Sequence, residues 1–245
     1  MVPHIEILKK PSVEKPFLII YKPKGLPSAP LSSDDFDNAL AQAIKEFPAL
    51  AEVKGRKEIE HGLLHRLDNA TDGLLIIAAS QECYDFLIAE QETGRITKTY
   101  TAECDIIKNN SQLLGGFPPD TPALSEITSY FRPYGQGRKE VRPVTEKSGK
   151  AALSKLGKAK LYTTRIQIKK ISETKASAIC KITSGYRHQV RCHLAWAGFP
   201  VCGDSLYNSE SKKKAENLLK FSATSISFEY PRGDLNSYDR KDTWT

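Results

Sequence analysis

The chain has 245 residues, of which 40% are hydrophobic, and 36 Lys and Arg against 29 Asp and Glu give it a net charge of +7. That length supports one large α+β domain or two lobes, no apolar run reaches the roughly 20 residues of a membrane span, and Met1–Glu6 has none of the marks of a secretory signal. Five cysteines, an odd set without a Cys-x-x-Cys pair, weigh against a disulfide scaffold or zinc site and predict free thiols in a reducing cytoplasm.

Taken in order, Phe17–Tyr21 reads as a buried strand stopped by Lys22-Pro23-Lys24-Gly25, where Pro and Gly force a turn. Apolar spacing from Asp37 to Phe47 predicts a helix closed by Pro48. Leu74–Ala79 is a second buried strand, followed by Ser80 as N-cap of a helix to Glu92, with Gly94 just beyond. Arg95–Ile107 alternates like a strand, and Lys108–Pro122 reads as a surface loop. Between Arg132 and Lys160 nine basic residues, among them Lys155 and Lys158, face only Glu140 and Glu146, a local excess equal to the net charge of the whole chain. Such a stretch suits a polyanion such as RNA, since each neutralised phosphate releases counterions; a solvated loop explains the charge equally well. Leu161–Ile171 and Ala176–Thr183 pair as a hairpin, His188–Trp196 forms a short helix ending at Gly198, and Ser222–Tyr230 is a final strand. Strands dominate with few helices between them, which predicts an α+β fold on a mixed, largely antiparallel sheet.

The segment richest in chemistry is His61-Gly-Leu-Leu-His65-Arg66-Leu67-Asp68-Asn-Ala-Thr71-Asp72-Gly73. Asp68 is framed by leucines and by an apolar strand, so ionising it requires a cation or several donors. Extended geometry puts Arg66 on the side of Asp68, within reach as a charge partner. A buried Arg–Asp pair pinning a loop accounts for this segment as well as an active site does. In Gly185-Tyr-Arg-His188-Gln189-Val-Arg191-Cys192-His193, helical spacing groups His188, Arg191, Cys192 and Ala195 on one face, with Arg191 able to meet a carboxylate. His188 and His193 diverge on a helix and no second ligand cluster exists, so no metal is expected. Lys98 and Tyr100 share a strand face, an arrangement that suits a base on the ring and a phosphate on the ammonium, although a half-buried sheet tyrosine is the plainer reading. No phosphate-binding loop, dinucleotide fingerprint or serine elbow is present, which favours a reaction without cofactor.

Together these segments resemble the RluA-type family of pseudouridine synthases. His65-Arg66-Leu67-Asp68-x-x-Thr71-x-Gly73-Leu74-Leu75 is similar to the family's nucleophile motif. Lys22-Pro23-x-Gly25-Leu26 is similar to its first motif, Lys98-x-Tyr100-x-Ala102 to its middle strand, and Gly185-x-x-His188-Gln189-Val190-Arg191-x-His193-Leu194 to its closing helix. The last runs on into Gly198-x-Pro200-Val201-x-Gly203-Asp204-x-Leu206-Tyr207. Three positions depart from the pattern: Asp72 for Ser, Tyr186-Arg187 for Arg-Thr, and Asn208 for Gly.

The resemblance implies a bent central sheet flanked by helices and loops, with a basic active-site cleft. It implies one catalytic domain over residues 1–245, in which about the first 16 are an extension too short for the small N-terminal RNA-binding domain of some relatives. It further implies isomerisation of uridine to pseudouridine in rRNA or tRNA, by a cytoplasmic protein with monomer as the default. Asp68 would be the nucleophile, Arg191 the guanidinium that keeps it ionised, and Tyr100 the ring that packs on the flipped uracil. Arg66 would fill the gap that the uridine leaves, and Lys22, Lys98, His188 and Gln189 would contact RNA. The alternative is a catalytically silent RNA-binding or ribosome-assembly protein on the same fold. A glycoside or nucleoside hydrolase needs a second carboxylate; only Asp72 is near, and Arg66, Lys98 and the basic stretch would then have no task.

Overall fold

The computed structural model describes residues 2–109, 113–114, 125–154, 156, 160–213 and 218–240. In chain order its first elements are β1 (Glu6–Lys9), β2 (Phe17–Lys22), α1 (Ala39–Glu46), β3 (Asp72–Ala78), α2 (Gln81–Glu92), β4 (Thr97–Asp105) and β5 (Glu126–Tyr134). There follow β6 (Glu140–Val144), α3 (Lys150–Leu153), β7 (Tyr162–Lys170), β8 (Lys175–Ile182), α4 (Gln189–Trp196), α5 (Ser209–Lys213), β9 (Phe221–Glu229) and β10 (Leu235–Asp239). Contacts gather the chain into two compact units, Met1–Lys98 with Ser222–Thr243, and Thr99–Phe221. Among the described residues no helix is long and apolar enough to cross a membrane.

In the first unit the strand order is β1-β2-β3-β9, with β10 against β9. The β1–β2, β2–β3 and β9–β10 pairs are antiparallel, while β3 meets β9 in parallel through Asp72↔Ser222 and Gly73↔Ala223. Every residue of β3 is buried, as its unbroken Leu-Leu-Ile-Ile run requires of a strand covered on both faces. Leu74 and Ile76 join Phe17, Ile19, Leu87 and Phe228 in the core. Gly73 permits the join to β9: its φ is +137°, and a Cβ there would lie 2.3 Å from the Ala223 carbonyl oxygen, an approach open only to glycine. Ser80 caps α2 as its sequence position predicts, with Oγ accepting from Cys83 N at 3.2 Å. At α1 the cap is Asn38, whose Oδ1 accepts from Ala41 N at 2.9 Å, so the helix starts two residues later than expected.

In the second unit the order is β4-β8-β7-β5-β6. The β7–β8 hairpin forms as predicted, its turn closed by Ser172 Oγ accepting from Thr174 N and Lys175 N at 3.2 and 3.1 Å. Strand β4 alternates buried and half-buried residues throughout, the period-two pattern read from its sequence. All eight residues of α4 are buried, Gln189, Arg191 and His193 included, so each polar group among them requires an internal partner. The basic stretch is more ordered than a loop: Arg132 lies in β5 and Arg142 in β6, cross-strand partners in an antiparallel pair. Lys155 and Lys158, and most of the loop expected over Lys108–Pro122, lie outside the described residues. All five cysteines are buried free thiols.

Candidate active site

The segment before β3 runs beside the strand, with Leu64 N donating to Ile76 O and Ala78 N to Gly62 O, and then leaves it at His65. From there irregular backbone carries Asp68, and the turn after β2 brackets it. Ser28 Oγ donates to Leu67 O and accepts from Leu67 N, each at 2.9 Å. Gly25 N donates to Asn69 O at 2.7 Å, and Thr71 N to Asp68 O at 3.0 Å. The backbone is thus fixed immediately before, at and after Asp68, whose side chain is half-buried. A carboxylate on loop backbone without such ties would lose orientation.

Two lysines of the same turn set the electrostatics. Lys22 is fully buried, with its ammonium donating to Pro23 O at 3.0 Å and Leu26 O at 2.8 Å. Burial draws its pKa down to about 8, against the pull of the Asp72 and Asp68 charges. Lys22, expected at RNA, thus supports the turn from inside in this structure. Lys24 lies 3.6 Å from Asp72. Asp72 is 1% exposed and accepts from Tyr21 Oη and Ser222 Oγ, both at 2.5 Å. The added charge at this position is thus met by two hydroxyl donors and a cation.

Arg66 also departs from expectation. Its guanidinium is exposed, and its ion partner is Glu60 at 3.4 Å rather than Asp68. The alternation argument fails because residues 65–71 form no strand. Lys98 is 5% exposed and donates to Gln91 Oε1 at 3.2 Å, while Gln91 Nε2 donates to Leu64 O at 3.2 Å. Burial lowers its pKa to about 8. Lys98, expected at a phosphate, makes an internal contact here that ties α2 to the start of the Asp68 segment. His65 stands at the same place; burial, with the charge of Lys98, holds it well below its usual range. Neither of its ring nitrogens has a hydrogen-bond partner among the described residues.

In the second unit Tyr100 is 8% exposed, and one face of its ring stacks on Phe221, with centroids 5.2 Å apart and planes 6° apart. Arg191 is 5% exposed and grips Asp204 with Nε to Oδ2 and Nη2 to Oδ1, both at 2.8 Å. Oδ1 of Asp204 also accepts from Leu206 N and Tyr207 N at 2.9 and 3.2 Å. Bidentate pairing of this kind fixes a guanidinium's plane as well as its charge. Gln189, expected at RNA, spends its side chain inside: Oε1 accepts from Tyr186 N at 2.9 Å, and Nε2 donates to Thr163 O and Thr164 Oγ1 at 3.0 and 3.1 Å. His188 adopts a left-handed φ of 56°, and its Nδ1 lies 3.0 Å from Tyr207 Oη. His193 meets Thr164 Oγ1 and Ser129 Oγ at 2.8 and 2.9 Å, and burial takes its pKa down to about 3, so it is a neutral core residue.

A family model described as RNA pseudouridylate synthase matches residues 16–196. The chain belongs to that family. It is similar to RNA pseudouridine synthase 7 of Arabidopsis thaliana, 29% identical over 68% of this chain and 40% of that protein. It is similar also to the ribosomal large subunit pseudouridine synthase D of Zymomonas mobilis, 26% identical over 83% and 56%. This chain thus spans about half the length of the curated relatives it matches. Among solved structures, human RNA Pseudouridylate Synthase Domain Containing 1 shares the fold, with a TM-score of 0.66 at 18% identity, covering 100% of this chain and 86% of that one.

Within a pseudouridylate synthase chain, sequence reasoning named Asp68 and Arg191 but missed what holds them: Ser28, Gln91 and Asp204. Asp204 had a signal. An acid beside Val201-Cys202 and Leu206-Tyr207 requires a cation once buried, and Arg191, which sequence reasoning gave to Asp68 alone, is that cation. Ser28 and Gln91 had none, because a single serine or glutamine says nothing of the backbone it will reach. The family departures find local reasons: Arg187 Nη2 donates to Arg138 O and to Glu140 O, and Tyr186 stacks on Phe131 at 5.1 Å and 7°.

Proposed function

We propose that this chain isomerises uridine to pseudouridine in structured RNA, rRNA or tRNA, with Asp68 as nucleophile and with neither cofactor nor metal. The observation that carries the reading is the setting of Asp68: a half-buried carboxylate in a His-Arg-Leu-Asp segment, bracketed by Ser28, Gly25 and Thr71 and close enough to buried Lys22 to shift its titration. Asp68 attacks the ribose C1′ or the uracil ring, and the N1–C1′ bond breaks. The uracil turns and C5 joins C1′; the C5 proton leaves, N1 takes one up, and the carboxylate is regenerated. Nothing is oxidised and no water is added, so the atoms balance without a further reactant. Arg191, its guanidinium plane fixed by Asp204, is by the family resemblance a further residue of the site. Tyr100 packs on the flipped uracil, and exposed Arg66 fills the space left in the RNA.

The test is direct. Total RNA from cells lacking the gene, labelled with tritium at uridine C5, is incubated with the protein alone. Tritium released to water is the expected result. RNA that is bound without any release would instead favour the silent RNA-binding protein.

A further inference from the structure

The β5–β6 hairpin carries a charge arrangement that the fold alone does not need. Arg132 and Arg142 are directly opposed across the strands, and like charges so placed are destabilising. Among the described residues Glu140 offsets them, pairing with Arg142 at 3.1 Å. The Nε atoms of both arginines are buried without a hydrogen-bond partner among the described residues, a further cost for a group that has lost water. Both approach one aromatic ring, Tyr134, whose centroid is 5.0 Å from the Arg132 guanidinium and 4.6 Å from that of Arg142. Tyr134 nonetheless remains 41% exposed.

The hairpin is also held still. Its turn passes through Gly135, Gly137 and Arg138, all with positive φ. Arg187, one of the chain's departures from the family pattern, fastens this turn by donating to the Arg138 and Glu140 carbonyls. Val141 N donates to Tyr207 Oη at 2.8 Å, the same hydroxyl that meets His188. The hairpin is therefore coupled to the turn that begins α4.

We propose that this hairpin is a nucleotide-reading arm, in which an unpaired base of the RNA stacks on Tyr134 while its flanking phosphates take the Arg132 and Arg142 guanidinium groups. Stacking on an exposed ring is open to any base, and guanidinium groups close to the ring add to it. The phosphates offset the repulsion between the two guanidinium groups. A duplex, whose bases are already stacked, has no base to offer, so the arm selects single-stranded segments. The proposal rests on RNA being the substrate, and it goes beyond that reading by assigning recognition to a surface away from Asp68 in the chain.

The experiment measures binding of a short fluorescein-labelled single-stranded oligoribonucleotide, and of a duplex of the same sequence, to the full chain and its variants. Tyr134→Ala should weaken single-strand binding by on the order of tenfold or more, from a stacking contribution of roughly 1–3 kcal/mol per base. It should leave duplex binding unchanged, and Tyr134→Phe should restore the loss. Arg132→Gln should weaken binding and reduce the salt slope by about one. Arg165→Gln, which removes an exposed charge from β7, should leave single-strand preference intact. Equal affinity of wild type and Tyr134→Ala for the single strand would overturn the proposal, as would equal losses for Arg132→Gln and Arg165→Gln. Tritium release by the wild-type protein is scored separately: release with an indifferent Tyr134 removes only the arm, and a working arm without release removes only the isomerase.

Discussion

Replacing Asp204 with Ala perturbs one carboxylate and leaves four donors without it: two from Arg191, each at 2.8 Å, and the Leu206 and Tyr207 amides. Arg191 and Asp204 are 5% and 1% exposed, so water cannot take the place of the lost partner. Breaking a buried pair from one side costs roughly 3–5 kcal/mol, because a desolvated charge is left behind. In a chain of this size that corresponds to a fall in Tm of about 6–20 °C. Urea titration followed by circular dichroism measures the loss. The loss should persist at about 1 M salt, where an exposed pair would be screened. Arg191→Met combined with Asp204→Ala should recover part of it, since the guanidinium that lost the Asp204 carboxylate is then removed as well. A single-variant cost below about 1 kcal/mol, or strict additivity in the double variant, would refute the view that Asp204 is what orients Arg191.

Three further outcomes follow from the geometry. Gly73→Ala drives a Cβ against the Ala223 backbone at a φ of +137°, so it should separate β3 from β9 and leave little folded protein; a melt within about 1 kcal/mol of wild type would contradict this. Ser28→Ala removes both hydrogen bonds to Leu67; it should cost about 1–3 kcal/mol and lower kcat more than it changes KM, whereas an unchanged kcat would release Ser28 from positioning Asp68. Lys98 is displaced from 10.5 to about 8 by burial, so at pH 7 its charged form opposes folding by roughly 3 kcal/mol. Lys98→Met should therefore be the more stable protein at pH 7. As pH rises from about 8 to 10.5 the folded state sheds this proton before the unfolded state does, so wild-type stability climbs and the gap should close. A gap that does not vary with pH would show that the ammonium is not the cause.

How much of this was legible in the sequence depended on how local the cause was. The alternation of β4 and the Ser80 cap of α2 are set by neighbours a few residues away, and both were readable. The β5–β6 hairpin was not: Pro133 and Pro143 interrupt its strands, β6 stands at the end of the strand order, and its charges read as a solvated loop. Asp68 was conspicuous because an acid among leucines demands support. The identity of that support was not, since Ser28 and Lys22 arrive from a turn some forty residues earlier. Arg66 was assigned to Asp68 by strand geometry, and Glu60 holds it because no strand exists there. Lys98 was placed on the correct strand face, but alternation cannot say whether that face meets RNA or the protein's own interior; burial settles on Gln91. The Tyr186-Arg187 departure became intelligible only once the hairpin that it fastens was in view.

The proposed chemistry hangs on one side chain, and substituting it is the shortest route to an answer. Asp68→Asn keeps the shape, and Asp68→Ala removes the group; each is assayed for tritium release from C5-labelled RNA and, separately, for RNA affinity. Release at background with wild-type affinity is the result expected of a nucleophile. Release at the wild-type rate from either variant would mean that the carboxylate at position 68 does not carry the reaction.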